Sequence, residues 1–140
     1  LYGVDSVVLP EFRSQGVGGK LIDARYNLIR KLNLRGLVAG SLPIDYYKVA
    51  ASMPIEQYVQ EVVAGLRFDT NLSKQLRKGF QVHGLIPNYT TEPTCCGWGV
   101  EIVWDNPDYQ PLRRVLPATA PTRRPSPAQG YAPLMVPRYA

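Results

Sequence analysis

A chain of 140 residues suits one domain with one core, and its 45% hydrophobic and 19% charged residues are those of a globular protein. No apolar run approaches the ~20 residues that span a bilayer, and no basic, apolar and cleavage-site succession marks a signal peptide, so a membrane role is not expected. The net charge of +5 does not describe a nucleic-acid face, because all 11 acidic residues lie at or before Asp108, where 11 of the 16 basic residues also lie, and the other five follow it (Arg113, Arg114, Arg123, Arg124 and Arg138). Two adjacent cysteines, Cys95 and Cys96, complete neither a disulfide framework nor a metal site, which leaves reduced thiols in a turn, no metal and a cytoplasmic setting as the expectation.

In chain order, Leu1 to Leu9 alternates and ends in β-branched residues, which predicts a strand. The run from Val8 through Pro10, Arg13, Ser14, Gln15, Gly16, Val17, Gly18 and Gly19 to Lys20 then turns into an amphipathic helix. Such a loop suits a pyrophosphate. Gly16 and Gly18 lack Cβ atoms, so backbone N–H groups can approach phosphate oxygens, and the helix adds its unpaired donors and the positive end of its dipole. Arg13 and Lys20 would assist. A Walker loop is ruled out by Ser14 where its first glycine belongs and by Leu21 after Lys20. A dinucleotide fingerprint lacks its third glycine, since Leu21 stands three residues after Gly18.

The helix is predicted over 17–32, with residues 17, 21, 22, 28, 29 and 32 on one apolar stripe and Asn33 and Gly36 ending it. Gly36 to Ser41 reads as a buried strand, completing a βαβ unit with parallel strands. The segment 42–68 is too long for a simple connection, and Pro54 followed by Ile55, Tyr58, Val59, Val62, Val63 and Leu66 predicts a helix inside it. A second helix is expected from Thr70 to Lys78 with Asp69 as its cap and Gly79 as its stop, then strands over 81–89 and 97–104. After Tyr109, seven prolines in 31 residues with few large apolar groups predict a disordered basic tail, giving a domain over 1–109 and a tail over 110–140.

The spacing V-x-P-x-x-R-x-x-G-x-G, carried by Val8, Pro10, Arg13, Gly16 and Gly18, resembles the acetyl-CoA motif of the GNAT superfamily of N-acyltransferases, and the order of segments agrees as far as Asp105. The resemblance implies an α/β fold with a mixed sheet. In that superfamily the motif strand is the fourth, so it also implies that this chain is the C-terminal part of the domain, without the upstream strands and helices. That would leave an open strand edge inviting pairing with a second chain. The long 42–68 segment and the pattern ending in Asn88 and Tyr89 resemble bacterial members sometimes joined to a carbon-nitrogen hydrolase domain.

The chemistry implied by the resemblance is direct attack of a primary amine on the thioester of acetyl-CoA, with no covalent enzyme intermediate. By position, Ser6, Val7 and Val8 match the strand that pairs with the pantetheine arm. Residues Ser14 to Gly19 match the pyrophosphate loop. The superfamily often protonates the departing thiolate with a tyrosine five residues before the Phe of a Gly-Phe junction, here Phe80, and that position holds Gln75. Three alternatives stand: water protonates the thiolate, another group such as Tyr46, Tyr47 or Tyr89 substitutes, or the domain is a non-catalytic acyl-CoA-binding regulatory module. Asp5 and His83 are candidate bases. Glu56, Glu61 or Glu101 would suit a cationic acceptor, and Asp45 to Tyr47 would form part of a lid.

Overall fold

In the computed structural model, residues 1–4 and 6–111 are described, and they form one compact unit over Leu1–Gln110. Asp5 and the expected tail beyond Pro111 lie outside the described residues. The elements are β1 (Tyr2–Gly3), α1 (Val17–Lys31), β2 (Gly36–Ser41), α2 (Ile55–Val63), α3 (Leu72–Arg77), β3 (Gln81–Ile86) and β4 (Gly99–Asp105), with short 3-10 turns at Pro10–Phe12, Tyr46–Lys48 and Pro93–Cys95. The four strands make one mixed sheet in the order β1-β2-β4-β3, with β1 parallel to β2 and both β2 and β3 antiparallel to β4.

Alternation along β2 and β4 sends Leu37, Ser41, Val100, Ile102 and Trp104 to one face, and all five are buried. The helices supply the other half of this core with Tyr26 and Ile29 from α1, Ile55, Tyr58, Val59 and Val62 from α2, and Leu72 from α3. Tyr26 stacks on Trp104 at 3.8 Å between ring centroids and donates its hydroxyl hydrogen bond to Lys78 O at 2.8 Å. Burial, with the nearby Asp23 charge, pushes the Tyr26 phenol up to about 12, so it stays a donor at any physiological pH.

Two expectations are corrected. The strand expected over Leu1 to Leu9 pairs with β2 only at Tyr2↔Val38 and Gly3↔Ala39, after which the chain leaves the sheet. The α1 stripe is also rotated: Ile22, Tyr26 and Ile29 face the sheet, while Leu21, Leu28 and Leu32 are exposed. Alternation and apolar content cannot reveal the first, because pairing depends on the partner strand. The second follows from Tyr26, whose ring has more surface to bury against Trp104 than a leucine at the alternative positions.

Asp69, fully buried, fastens α3 to the end of β2. Its Oδ1 accepts from the N–H groups of Asn71 at 2.9 Å and Leu72 at 2.7 Å just ahead of α3, although Asn71 and not Asp69 stands at the cap position, and its Oδ2 accepts from Tyr58 Oη at 2.8 Å and Asp45 N at 3.0 Å. Burial and that carboxylate hold the Tyr58 phenol well above its ordinary range. Asp45 returns the contact by accepting from Thr70 N at 2.7 Å and from Lys48 Nζ at 2.6 Å, and Asn71 Nδ2 donates to Leu42 O at 3.0 Å.

The Lys48 and Thr70 hydrogen bonds hold the Asp45 carboxyl down at about 2 against an ordinary 3.8. A depressed folded value adds stability that is complete above the unfolded value and disappears as pH falls through the folded one. The Asp45→Asn variant is therefore expected to be less stable at pH 7 by up to about 2 kcal/mol. It should also lose less stability than the parent between roughly pH 4 and 2, measured by urea unfolding at each pH.

Candidate functional site

The glycine-rich loop lies on the chain between β1 and α1. Arg13 Nε donates to Val8 O at 2.9 Å and Gln15 Nε2 donates to Glu11 O at 2.7 Å, bracing the turn from within. Ser14 at φ 60° and Gly16 at φ 77° both adopt the left-handed region, which turns the chain into α1. Gly16 occupies the cap position and makes no side-chain cap hydrogen bond, and among the described residues no side chain accepts from the first-turn N–H groups. Those donors lie at the positive end of a 15-residue helix dipole.

Gly18 has no explanation in the protein's own packing. It lies inside α1 without a positive φ, and a Cβ added there would meet nothing within 4 Å. A helical glycine costs roughly 1 kcal/mol relative to alanine, and no contact among the described residues offsets that cost at Gly18. Beside it, the Lys78 side chain crosses the same turn, its Cε 3.4 Å and its Nζ 3.6 Å from where a Cβ of Gly19 would be. Lys78 Nζ is held by Asp23 at 2.8 and 2.9 Å. Sequence reasoning missed this lysine, since only the fold brings α3's end against α1. Lys20 is exposed and Val17 half-buried.

Before the loop, Ser6 and Val7 are exposed and Val8 half-buried, and none of them pairs in the sheet. On β2, Gly40 and Ser41 extend past the last β1 pair at Gly3↔Ala39 while still pairing with β4. A gap between the parallel strands results, with a different group on each side. On the helix-covered side, Ser41 Oγ donates to Gln75 Oε1 at 2.5 Å, so Gln75 on α3 does reach the end of β2. On the opposite side lies the ring of Tyr89, and a Cβ at Gly40 would overlap its Oη and Cζ. At Gly99 a Cβ would lie 2.6 Å from its Cγ and Cδ1. Tyr89 Oη is also 3.4 Å from Tyr2 Oη. A glycine inside each of two adjacent strands was the available sign of a close approach.

The other candidates lie elsewhere. Tyr46 is buried and donates its hydroxyl hydrogen bond to Met53 O at 3.0 Å, while Tyr47 is exposed with Lys48 Nζ 5.8 Å from its ring centroid. His83 sits at the bulge of edge strand β3, two strands from β2, and with Glu56 lines a cavity of about 200 Å³ under α2. Glu61 is held by Gln57 and Arg67, which keep its carboxyl below the ordinary range. A larger cavity of about 560 Å³, lined by residues 62–68 and 73–77 in part, shares no residue with the loop or the gap. Cys95 is buried with burial raising its thiol, Cys96 is exposed, and neither is in a disulfide. Among the described residues no group of His, Cys, Asp and Glu could hold a metal, and no helix is long and apolar enough to cross a membrane.

The fold recurs in solved structures. The GphF GNAT-like decarboxylase in complex with isobutyryl-CoA superposes with a TM-score of 0.59 at 24% identity, over 71% of this chain and 52% of that one. The fold is GNAT-like. The loading GNATL domain of CurA from Lyngbya majuscula gives a TM-score of 0.55 at 21% identity, over 71% of this chain and 51% of its own. Among curated sequences, the GNAT-like chain is 34% identical over 112 residues to a probable hydrolase, YhcX, and 34% identical over 110 residues to an uncharacterized N-acetyltransferase, YkwB, both of Bacillus subtilis. It spans 22% of the first and 49% of the second, so at most about half the length of these relatives. No protein-family model matches the chain.

The unexplained Gly18 supplies a test. Gly18→Ala is expected to raise the unfolding free energy by roughly 0.5 to 1 kcal/mol, as alanine does in a helix, and to weaken acetyl-CoA binding at least about tenfold by crowding the loop. Thermal unfolding and calorimetric titration on the same preparation separate the two effects.

Proposed function

We propose that the GNAT-like domain binds acetyl-CoA, with its pyrophosphate on the loop from Arg13 to Lys20 and its pantetheine arm beside Ser6, Val7 and Val8, and transfers the acetyl group to a primary amine. The observation that carries this reading is the uncapped, glycine-lined start of α1 next to two parallel strands that part. The isobutyryl-CoA bound by the GphF decarboxylase supports a CoA thioester as the ligand, and the N-acetyltransferase relative supports acyl transfer as the reaction.

Recognition follows from elementary forces. Charge-assisted hydrogen bonds from first-turn N–H groups are worth roughly 1.5 to 3 kcal/mol each, so three or four hold a pyrophosphate without a broad basic patch. Arg13, at the start of the loop, has its Nε committed to Val8 O and would assist with the rest of its guanidinium. Beyond the Gly3↔Ala39 pair, the Gly40 carbonyl on the β1 side of β2 has no partner strand and is available to an extended amide-bearing arm. With that arm seated, the enzyme's task is to align amine and thioester and to manage two protons.

A second reading, a non-catalytic acyl-CoA-binding regulatory module, is favoured by Gln75, which carries no proton to give to a departing thiolate. Titration of acetyl-CoA into the chain and into a Gly16→Glu, Gly18→Glu variant tests binding, since two carboxylates at the loop would block and repel the pyrophosphate. Saturable binding by the parent and loss in the folded variant are expected. Equal binding by both removes the site. Thiol release from acetyl-CoA with spermidine, putrescine and lysine ethyl ester as acceptors then separates the two readings.

A further inference from the structure

With Gln75 unable to act as an acid, a transferase built on this chain needs another proton source or relies on water. Three phenols stood open from the sequence, and their surroundings differ. The Tyr46 hydroxyl is buried and committed to Met53 O. Tyr47 is exposed on the 3-10 turn Tyr46–Lys48, and Lys48 over its ring has its ammonium bound to Asp45. Tyr89 alone of the three lies against the residue where β1 and β2 part. Its ring rests on Gly40 of β2 and Gly99 of β4, and both positions must be glycine for it to lie there. The Tyr89 N–H donates to Gly97 O at 2.9 Å, and Asn88 before it takes a left-handed φ of 53°, so the turn after β3 directs the ring back across the sheet.

We propose that Tyr89 is the acid of the reaction, seated by Gly40 and Gly99 so that its hydroxyl meets the thioester sulfur in the gap between β1 and β2. This rests on the acyl-CoA reading above. As the amine nitrogen forms its bond to the acyl carbon, the C–S bond breaks and its electron pair goes to sulfur. The Tyr89 O–H proton passes to that sulfur, giving CoA thiol. The surplus proton of the attacking amine leaves to solvent, and the phenolate takes one proton back from solvent, so the enzyme is regenerated. Gln75 and Ser41 close the other side of the gap and position the arm without exchanging protons. The pairing of Tyr89 Oη with Tyr2 Oη at 3.4 Å places a second hydroxyl where it can fix the direction of the first.

The test uses acetyl-CoA with spermidine, putrescine or lysine ethyl ester, read as thiol release over pH 6 to 10, beside calorimetric binding of acetyl-CoA. Tyr89→Phe keeps the ring on its glycine seat and removes only the proton. It is expected to bind acetyl-CoA within about twofold of the parent, to lose about 100-fold in kcat, the low end for a general acid given a thiol of pKa ~8.5, and to lose the alkaline limb of the pH profile. Gly40→Ala, which displaces the ring, should give a comparable loss while circular dichroism shows a folded chain. A Tyr89→Phe protein with parental kcat and an unchanged pH profile overturns the role of Tyr89 and leaves the acyl-CoA reading standing. A parent that binds acetyl-CoA but releases no thiol with any of the amines overturns it as well, in favour of the binding module. Absence of acetyl-CoA binding by the parent overturns both together.

Discussion

Parallel pairing between β1 and β2 ends at Gly3 and Ala39, while β2 runs on to Ser41 against β4. The proposed acyl-CoA site lies around that parting. A parallel pair that stayed joined would have its backbone groups satisfied and nothing to offer an extended ligand. Past that pair the end of β2 is held by β4, and the chain leaving β1 goes on to the loop that opens α1. The proposed site is therefore the end of a strand pairing inside a sheet.

The elements around it are tied together by buried polar contacts. Asp69 gathers four donors, from Tyr58, Asp45, Asn71 and Leu72, and so ties α2, the turn after β2 and the start of α3 into one body. Removing its carboxylate would leave several buried donors without partners, each a cost of about 1 to 3 kcal/mol. On the far side of α3, Lys78 links the helix end to Asp23 and its carbonyl receives the Tyr26 hydroxyl, which keeps the glycine loop in register with the sheet. Rigid support beneath a loop that carries ligand-facing donors is the arrangement expected where binding depends on preorganised hydrogen bonds.

Much of this was legible in the residues. The α1 and β2 boundaries follow from period and from Asn33 and Gly36, and Asp69 does bond the N–H groups leading into α3, though the helix starts later than expected, with Asn71 at its cap position. The mixed sheet and GNAT-like fold follow from the loop motif and segment order. What could not be read has one physical cause, contact between residues far apart in sequence. The early end of β1 depends on where β2 stops receiving it. The outward turn of Leu21, Leu28 and Leu32 depends on Trp104 recruiting Tyr26. Lys78 beside Gly19, and Tyr89 over Gly40 and Gly99, join segments about 10 to 60 positions apart, and only the paired glycines hinted at the second.

Amide hydrogen exchange of the chain with and without acetyl-CoA addresses the central claim most directly, because the proposed ligand contacts are themselves backbone N–H groups. The account predicts that added acetyl-CoA slows exchange at Val17 to Gly19 and at Gly40 to Leu42, two stretches that touch only through a ligand lying along the gap. Protection confined to other segments, such as the cavity beside Leu66 and Phe68, or no protection under saturating acetyl-CoA, would contradict it.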